Sequence, residues 1–124
     1  MSSDSTFMAA ADATLAAIGA ALDAALANSG EADGDEADNG TDWNLNEGIL
    51  EIECADGSKL IVNRHVPNRE IWVAARSGGF HFRADAGVWR DARSGRELAA
   101  QLTGLLREQA GLEVDLTRLP SPPA

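Results

Sequence analysis

The chain has 124 residues, of which 44% are hydrophobic and 24% are charged, and this suits one soluble globular domain better than two. Thirteen of the 20 acidic residues lie within the first 56 residues, which contain no Lys or Arg, so this part carries a net charge of −13 and the remainder carries +3. The asymmetry argues against nucleic acid as a ligand and indicates a cationic partner or a metal ion.

Two features of the sequence bear on its compartment. The single cysteine, Cys54, cannot form an internal disulfide, which fits a reducing compartment and predicts a cytoplasmic protein. Residues 8–27 are rich in Ala but contain Asp12 and Asp23 and follow no basic segment. We therefore expect neither a signal peptide nor a membrane span.

The first predicted element is a helix over residues 5–27. Its apolar residues recur three or four positions apart, as on a helix with one buried face; they are Phe7, Ala11, Leu15, Ile18, Leu22 and Leu26. Asn28-Ser29-Gly30 is expected to end the helix, and residues 29–41 are then expected to form a mobile acidic loop.

From Trp43 onward, short β-branched runs separated by turn residues predict an antiparallel meander. Strands are expected over residues 49–54, 59–65, 70–75, 80–83 and 88–90. In the first of these strands, apolar residues alternate with Glu51 and Glu53, which predicts one dry and one wet face. Asp56-Gly57 is a strong hairpin signal between the first two strands.

A second helix is predicted after the strands. Ser94 and Glu97 match a capping box, Leu98, Leu102, Leu105 and Leu106 supply a buried stripe, and Gly111 fits the end of the helix. Together these elements predict an α+β fold in which two helices pack on one face of an antiparallel sheet. We expect a single domain over residues 1–119 and a disordered tail over residues 120–124.

The acidic residues are the candidate metal ligands. Carboxylate oxygens suit the hard cations Ca²⁺, Mg²⁺, Mn²⁺ or iron, but the spacing does not match a calcium-binding loop, so a purely solvated acidic loop remains the alternative to weak metal binding. Asp12 and Asp23 share one helix face yet lie about 16 Å apart along it, too far to chelate one ion together. The remaining candidates are Glu31, Asp33, Asp35, Glu36, Asp38 and Asp42.

A second candidate surface lies on the face of the sheet that the helices leave open. If Ile71 and Val73 are buried, Trp72 must point to that face. Aromatic and Arg side chains together are typical of protein-binding surfaces, although a Trp can simply shield the backbone of a sheet. The candidate partner-binding residues are Asn63, His65, Trp72, His81 and Arg83. Neither histidine lies at a catalytic spacing from a nucleophile or an acid, so no enzymatic activity is expected.

These residues also carry a resemblance to a known family. The sequence is similar to the frataxin family, and best to its bacterial branch, in an ordered series of motifs: DGSKLIVNR at residues 56–64, Pro67, IWVA at residues 71–74 and SGGFHF at residues 77–82. The resemblance extends from about Phe7 to Leu116. It implies an α-β-α sandwich that binds iron weakly through an acidic ridge.

The resemblance further implies docking on a cysteine desulfurase and its iron-sulfur scaffold protein, as a regulator or iron donor. By position, the ridge would include Asp12, Asp23 and Asp42, with the loop acids extending it, and the partner surface would include Asn63, His65 and Trp72. Family members usually carry several acids near the end of the first helix, where this chain has Gly19, Ala20 and Ala24.

Two alternatives to a binding regulator stay open from the sequence. One is a ferroxidase, which would need convergent carboxylates and His, and no Glu-x-x-His pair occurs on either predicted helix. The other is an iron-storage assembly, which would require iron-dependent oligomers. The expected state is a monomer that binds neither nucleic acid nor membrane.

Overall fold

The computed structural model describes residues 3–32 and 40–122, including the side chains of residues 4–27 and 40–122. The structure contains two helices and a six-stranded antiparallel sheet in which each strand pairs with the next along the chain. The elements are α1 (Ser3–Ala32), β1 (Asp42–Asn46), β2 (Ile49–Glu53), β3 (Lys59–His65), β4 (Glu70–Ala75), β5 (Gly78–Asp85), β6 (Val88–Arg90) and α2 (Leu98–Ala110).

Both helices pack on one face of the sheet, which confirms the predicted fold class. Alternate residues of the central strands point into the layer between sheet and helices, where they are buried; they include Leu50, Ile52, Leu60, Val62, Ile71, Val73 and Phe82. The helices contribute Leu15, Ile18 and Leu22 from α1 and Leu98, Leu102 and Leu106 from α2. Within residues 3–32 and 40–122, no helix packs on the opposite face of the sheet, which is called the open face below.

Helix α1 is long and apolar enough to span a membrane when only length and composition are considered, over Asp4–Ala27. Its apolar stripe, however, is in the core: Ala11, Leu15 and Ile18 are completely buried. Such burial is typical of the core helix of a globular domain, which passes the same test of length and composition.

A buried polar contact fixes α1 against the far edge of the sheet. The indole Nε1 of Trp89 donates a hydrogen bond of 3.0 Å to Thr14 Oγ1, and this hydroxyl donates in turn to the carbonyl oxygen of Ala10. Phe7 meets Trp89 edge to face, with ring centroids 6.0 Å apart. The contact ties the N-terminal half of α1 to β6.

The predicted capping box at the start of α2 is wrong. The helix begins at Leu98 with Glu97 as its N-cap, and no side chain caps it. Glu97 forms a bridge with Arg90, which holds its backbone extended, so helical geometry cannot begin earlier. Ser94 Oγ instead accepts a hydrogen bond from the backbone nitrogen of Arg96. The predicted end is confirmed, because Gly111 adopts the left-handed conformation with a φ of 63°.

Other element bounds also differ from expectation. Helix α1 continues to Ala32, so the loop expected from residue 29 does not begin there; a glycine such as Gly30 costs a helix only about 1 kcal/mol. Strand β1 was not predicted. Residues 120–122, at the start of the tail expected to be disordered, line a groove beside α2, and Pro122 is buried.

Candidate functional site

The acids predicted from the first helix and the first strand lie at one side of the molecule but do not converge on one point. Asp12 on α1 forms an ion pair with Arg64 of β3, whose side chain is only 19% exposed. Asp23 Oδ1 accepts a hydrogen bond of 2.9 Å from the indole Nε1 of Trp43 in β1. Asp42 Oδ1 accepts one of 2.9 Å from the backbone nitrogen of the same Trp43.

The structure therefore brings Asp23 and Asp42 to one tryptophan and leaves Asp12 with an arginine. Among the described residues, no group of three His, Cys, Asp or Glu side chains is placed to hold a metal ion. The candidates Asp33, Asp35, Glu36 and Asp38 lie outside the described residues. Glu31 belongs to α1 by its backbone, while its side chain is likewise outside them.

Gly19 explains part of the missing charge on this ridge. A Cβ atom at this position would lie 2.7 Å from Cη2 and 2.9 Å from Cζ3 of Trp43. The indole thus occupies the space that any side chain at position 19 would need. An acid cannot stand there unless Trp43 moves.

The residues predicted for partner binding come together on the open face. Asn63, Trp72 and His81 are opposite one another on β3, β4 and β5. Asn63, His65 and Trp72 are half-buried, whereas the side chains of His81 and Arg83 are 55% and 64% exposed. These five residues are called the open-face patch below.

Trp72 is the centre of a three-ring stack in this patch. The ring centroids of His65 and Trp72 are 3.7 Å apart, with an interplanar angle of 7°. Those of His81 and Trp72 are 4.3 Å apart, with an interplanar angle of 13°. Two parallel rings this close to one indole must lie on opposite faces of it. Both faces of Trp72 are therefore covered, and a partner protein would meet the edges of the three rings.

Sequence analysis missed two residues of this surface. Glu70 contacts two residues of the patch: its carboxylate accepts hydrogen bonds from Trp72 Nε1 at 2.8 Å and from Arg83 Nε at 3.0 Å. Burial alone would raise the pKa of Glu70, but these two donors lower it below its usual value. Ile49, opposite Asn63, is a large apolar residue with 45% exposure. The alternation of β2 and β4 already assigns both to the open face, and this signal could have found them.

Sequence comparison relates this chain to known proteins. The family model of the frataxin-like domain matches residues 1–112. A protein of Cupriavidus metallidurans named iron-sulfur cluster assembly protein CyaY is 43% identical over 114 residues, which cover 92% of this chain and 96% of that protein. A protein of the same name from Burkholderia mallei is 44% identical over 112 residues, covering 90% and 95%.

Two solved structures share the fold. The frataxin from Psychromonas ingrahamii superposes with a TM-score of 0.71 at 29% identity, over 93% of this chain and 98% of its own. Yeast frataxin superposes with a TM-score of 0.61 at 26% identity, over 85% and 80%.

Proposed function

Since this chain belongs to the frataxin-like family and functions in iron-sulfur cluster assembly, we propose that it acts there as an iron-binding regulator or iron donor that docks on a cysteine desulfurase and its scaffold protein. It would act by binding and would catalyse no reaction itself. The expected compartment is the cytoplasm, and the free thiol of Cys54, which is buried in the core, is compatible with this.

The charge distribution supports an attraction for iron and for a basic protein surface. The first 56 residues carry a net charge of −13, and this field raises the local concentration of cations whether or not a fixed coordination site exists. The acids that the structure describes favour weak, transient binding of iron. Asp12 is already paired with Arg64, and Asp23 already accepts a hydrogen bond from Trp43.

The open-face patch carries the proposal of protein docking. The single observation behind it is that Trp72 and its two stacked histidines lie on the open face, which no helix of the described residues covers. Exposed Arg83 and Ile49 add a charge and an apolar edge to the same surface. Large aromatic residues combined with Arg are enriched among the residues that dominate binding energies.

The ferroxidase and storage alternatives have no comparable support. Oxidation of Fe²⁺ by a paired-iron site needs several carboxylates or histidines at one point. Within residues 4–27 and 40–122, His, Cys, Asp and Glu side chains form no such group of three.

A binding titration would test the proposal. The chain is titrated into a cysteine desulfurase with its scaffold protein at low and high salt, with and without Fe²⁺. The first variant is Trp72→Ala, whose fold is checked by circular dichroism. The second carries amides in place of the acids of residues 31–38. Its control carries the same number of amides at Asp85, Glu97, Glu108, Glu113 and Asp115.

Binding of the wild type in the micromolar range that weakens with salt is expected. The amide variant at residues 31–38 should bind more weakly and lose most of the salt dependence, whereas its control should bind nearly as the wild type does. Trp72→Ala should fold and yet bind at least about tenfold more weakly, as is usual for a central aromatic contact. Wild-type affinity in both variants would refute the docking proposal.

A further inference from the structure

The carboxylate of Glu70 is an unusual feature of the open face. It belongs to the open face of the sheet, yet its side chain is only 13% exposed. Its two oxygens have different partners: Oε1 accepts from the indole of Trp72, and Oε2 accepts from the guanidinium of Arg83. Glu70 therefore bridges the tryptophan and the arginine of the open-face patch.

The stack and the carboxylate restrict Trp72 in complementary ways. The rings of His65 and His81, on either side of the indole, define its plane. A stacked indole can still turn over about its Cβ–Cγ bond and keep the same plane, and the 2.8 Å hydrogen bond from Nε1 to Glu70 selects the orientation in which Nε1 faces this carboxylate. Together they leave the indole one orientation.

The charge of Glu70 is maintained by the same contacts. Burial opposes ionisation, but the donors Trp72 and Arg83 outweigh it, so the pKa of Glu70 stays below its usual value. Both oxygens are therefore acceptors at neutral pH. A protonated carboxyl group would use one oxygen as a donor and could not accept from both partners equally.

We propose that Glu70 is a positioning residue, which holds the indole of Trp72 in the orientation used for docking on the assembly complex. The inference rests on the docking function proposed above. A side chain that is already ordered loses less conformational entropy when a partner binds. Removal of Glu70 should therefore weaken binding about 3- to 10-fold, which is less than the loss of Trp72 itself.

The test uses the full chain in three variants: Glu70→Ala, Glu70→Gln and the control Glu51→Gln. Glu51 is on the same face and pairs with Lys59 at 2.6 Å, whereas the Trp72 indole donates to Glu70, so the control removes an equal charge and leaves the hydrogen bond of Trp72 in place. The first measurement is made on the free protein: the ¹⁵N-¹H signal of the Trp72 indole, identified by its absence in Trp72→Ala, and its exchange with water. The second is the affinity for the desulfurase and scaffold complex.

In Glu70→Ala the indole signal should shift upfield and exchange faster with water, and binding should weaken. Glu70→Gln retains an oxygen that can accept from Trp72, so it should largely restore the indole signal. The control should match the wild type in both measurements. An unchanged indole signal in Glu70→Ala would overturn the inference.

The two proposals fail in distinguishable ways. If Trp72→Ala binds like the wild type, the docking function of the patch is wrong, and with it the role of Glu70 in docking. If Trp72→Ala binds weakly while Glu70→Ala loosens the indole without any loss of affinity, docking stands and the positioning role is refuted.

Discussion

The hydrogen bond between Trp89 and Thr14 offers a sharp test of how α1 is fixed to the sheet. Thr14 is completely buried, Trp89 is 4% exposed, and Thr14 Oγ1 accepts from the indole Nε1 at 3.0 Å. Thr14→Val keeps the shape of the side chain but removes the acceptor. The indole nitrogen is then a buried donor without a partner, which costs about 1 to 3 kcal/mol.

The second helix supplies a matched control. Thr103 Oγ1 donates to the carbonyl oxygen of Ala99, four residues earlier, just as Thr14 Oγ1 donates to that of Ala10. Thr103→Val therefore repeats the chemical change and the change in helix propensity, but it removes no indole acceptor, because the three indole nitrogens donate to Asp23, Glu70 and Thr14. The difference in stability between the two variants isolates the contact with Trp89.

Urea unfolding followed by circular dichroism measures this difference. We expect Thr14→Val to lower the free energy of unfolding by about 1 to 3 kcal/mol more than Thr103→Val, with similar dependence on urea concentration in both. For a domain of this size that corresponds to a fall of roughly 3 to 15 °C in the melting temperature. Equal destabilisation by the two substitutions, to within about 0.5 kcal/mol, would refute the reasoning.

Two further predictions concern charged residues. Arg64→Gln should raise the affinity for Fe²⁺ about fivefold in anaerobic calorimetry, because it releases the carboxylate of Asp12 from a cation, and a unit charge about 4 Å away contributes roughly 1 kcal/mol in water. The control Lys59→Gln changes the net charge equally, and an equal gain there would show that Asp12 is not involved. Hydrogen bonds from the hydroxyl and backbone of Ser58 lower the pKa of Asp56 from 3.8 to about 2, so the carboxylate stabilises the fold above pH 3.8 and this contribution is lost as the pH falls toward 2. The difference in free energy of unfolding between the wild type and Asp56→Asn, measured by urea unfolding, should accordingly shrink as the pH is lowered from 5 to 2. A difference that does not change with pH would contradict a stabilising role of the Asp56 carboxylate.

The strands were predictable where burial alternates. In β3 and β4 every second residue is buried or faces the helices, and the predicted bounds, residues 59–65 and 70–75, agree with the observed ones. Strand β1 lacked that signal because four of its five residues are exposed and only Trp43 is half-buried. An edge strand held by one side chain gives no alternating pattern to read.

The candidate site was predictable in part for a similar reason. Alternation along β4 was enough to place Trp72 on the open face. The stacking of the two histidines on Trp72 and the bridging role of Glu70 depend on side-chain rotamers in three strands, which sequence spacing does not define. The pairing of Asp12 with Arg64 joins residues 52 positions apart, and no local pattern indicates it.

The absence of an acid at position 19 of α1 follows from competition between packing and charge at that position. Trp43 is the residue through which β1 packs on the core, and its indole lies where a side chain at position 19 would be. Packing requires this particular glycine, because a displaced indole would also lose its hydrogen bond to Asp23. Attraction of a cation or a basic surface requires only net negative charge nearby. The sequence can therefore leave position 19 without a side chain and carry its acids at residues 31–38, further along the chain, at little loss to an electrostatic function.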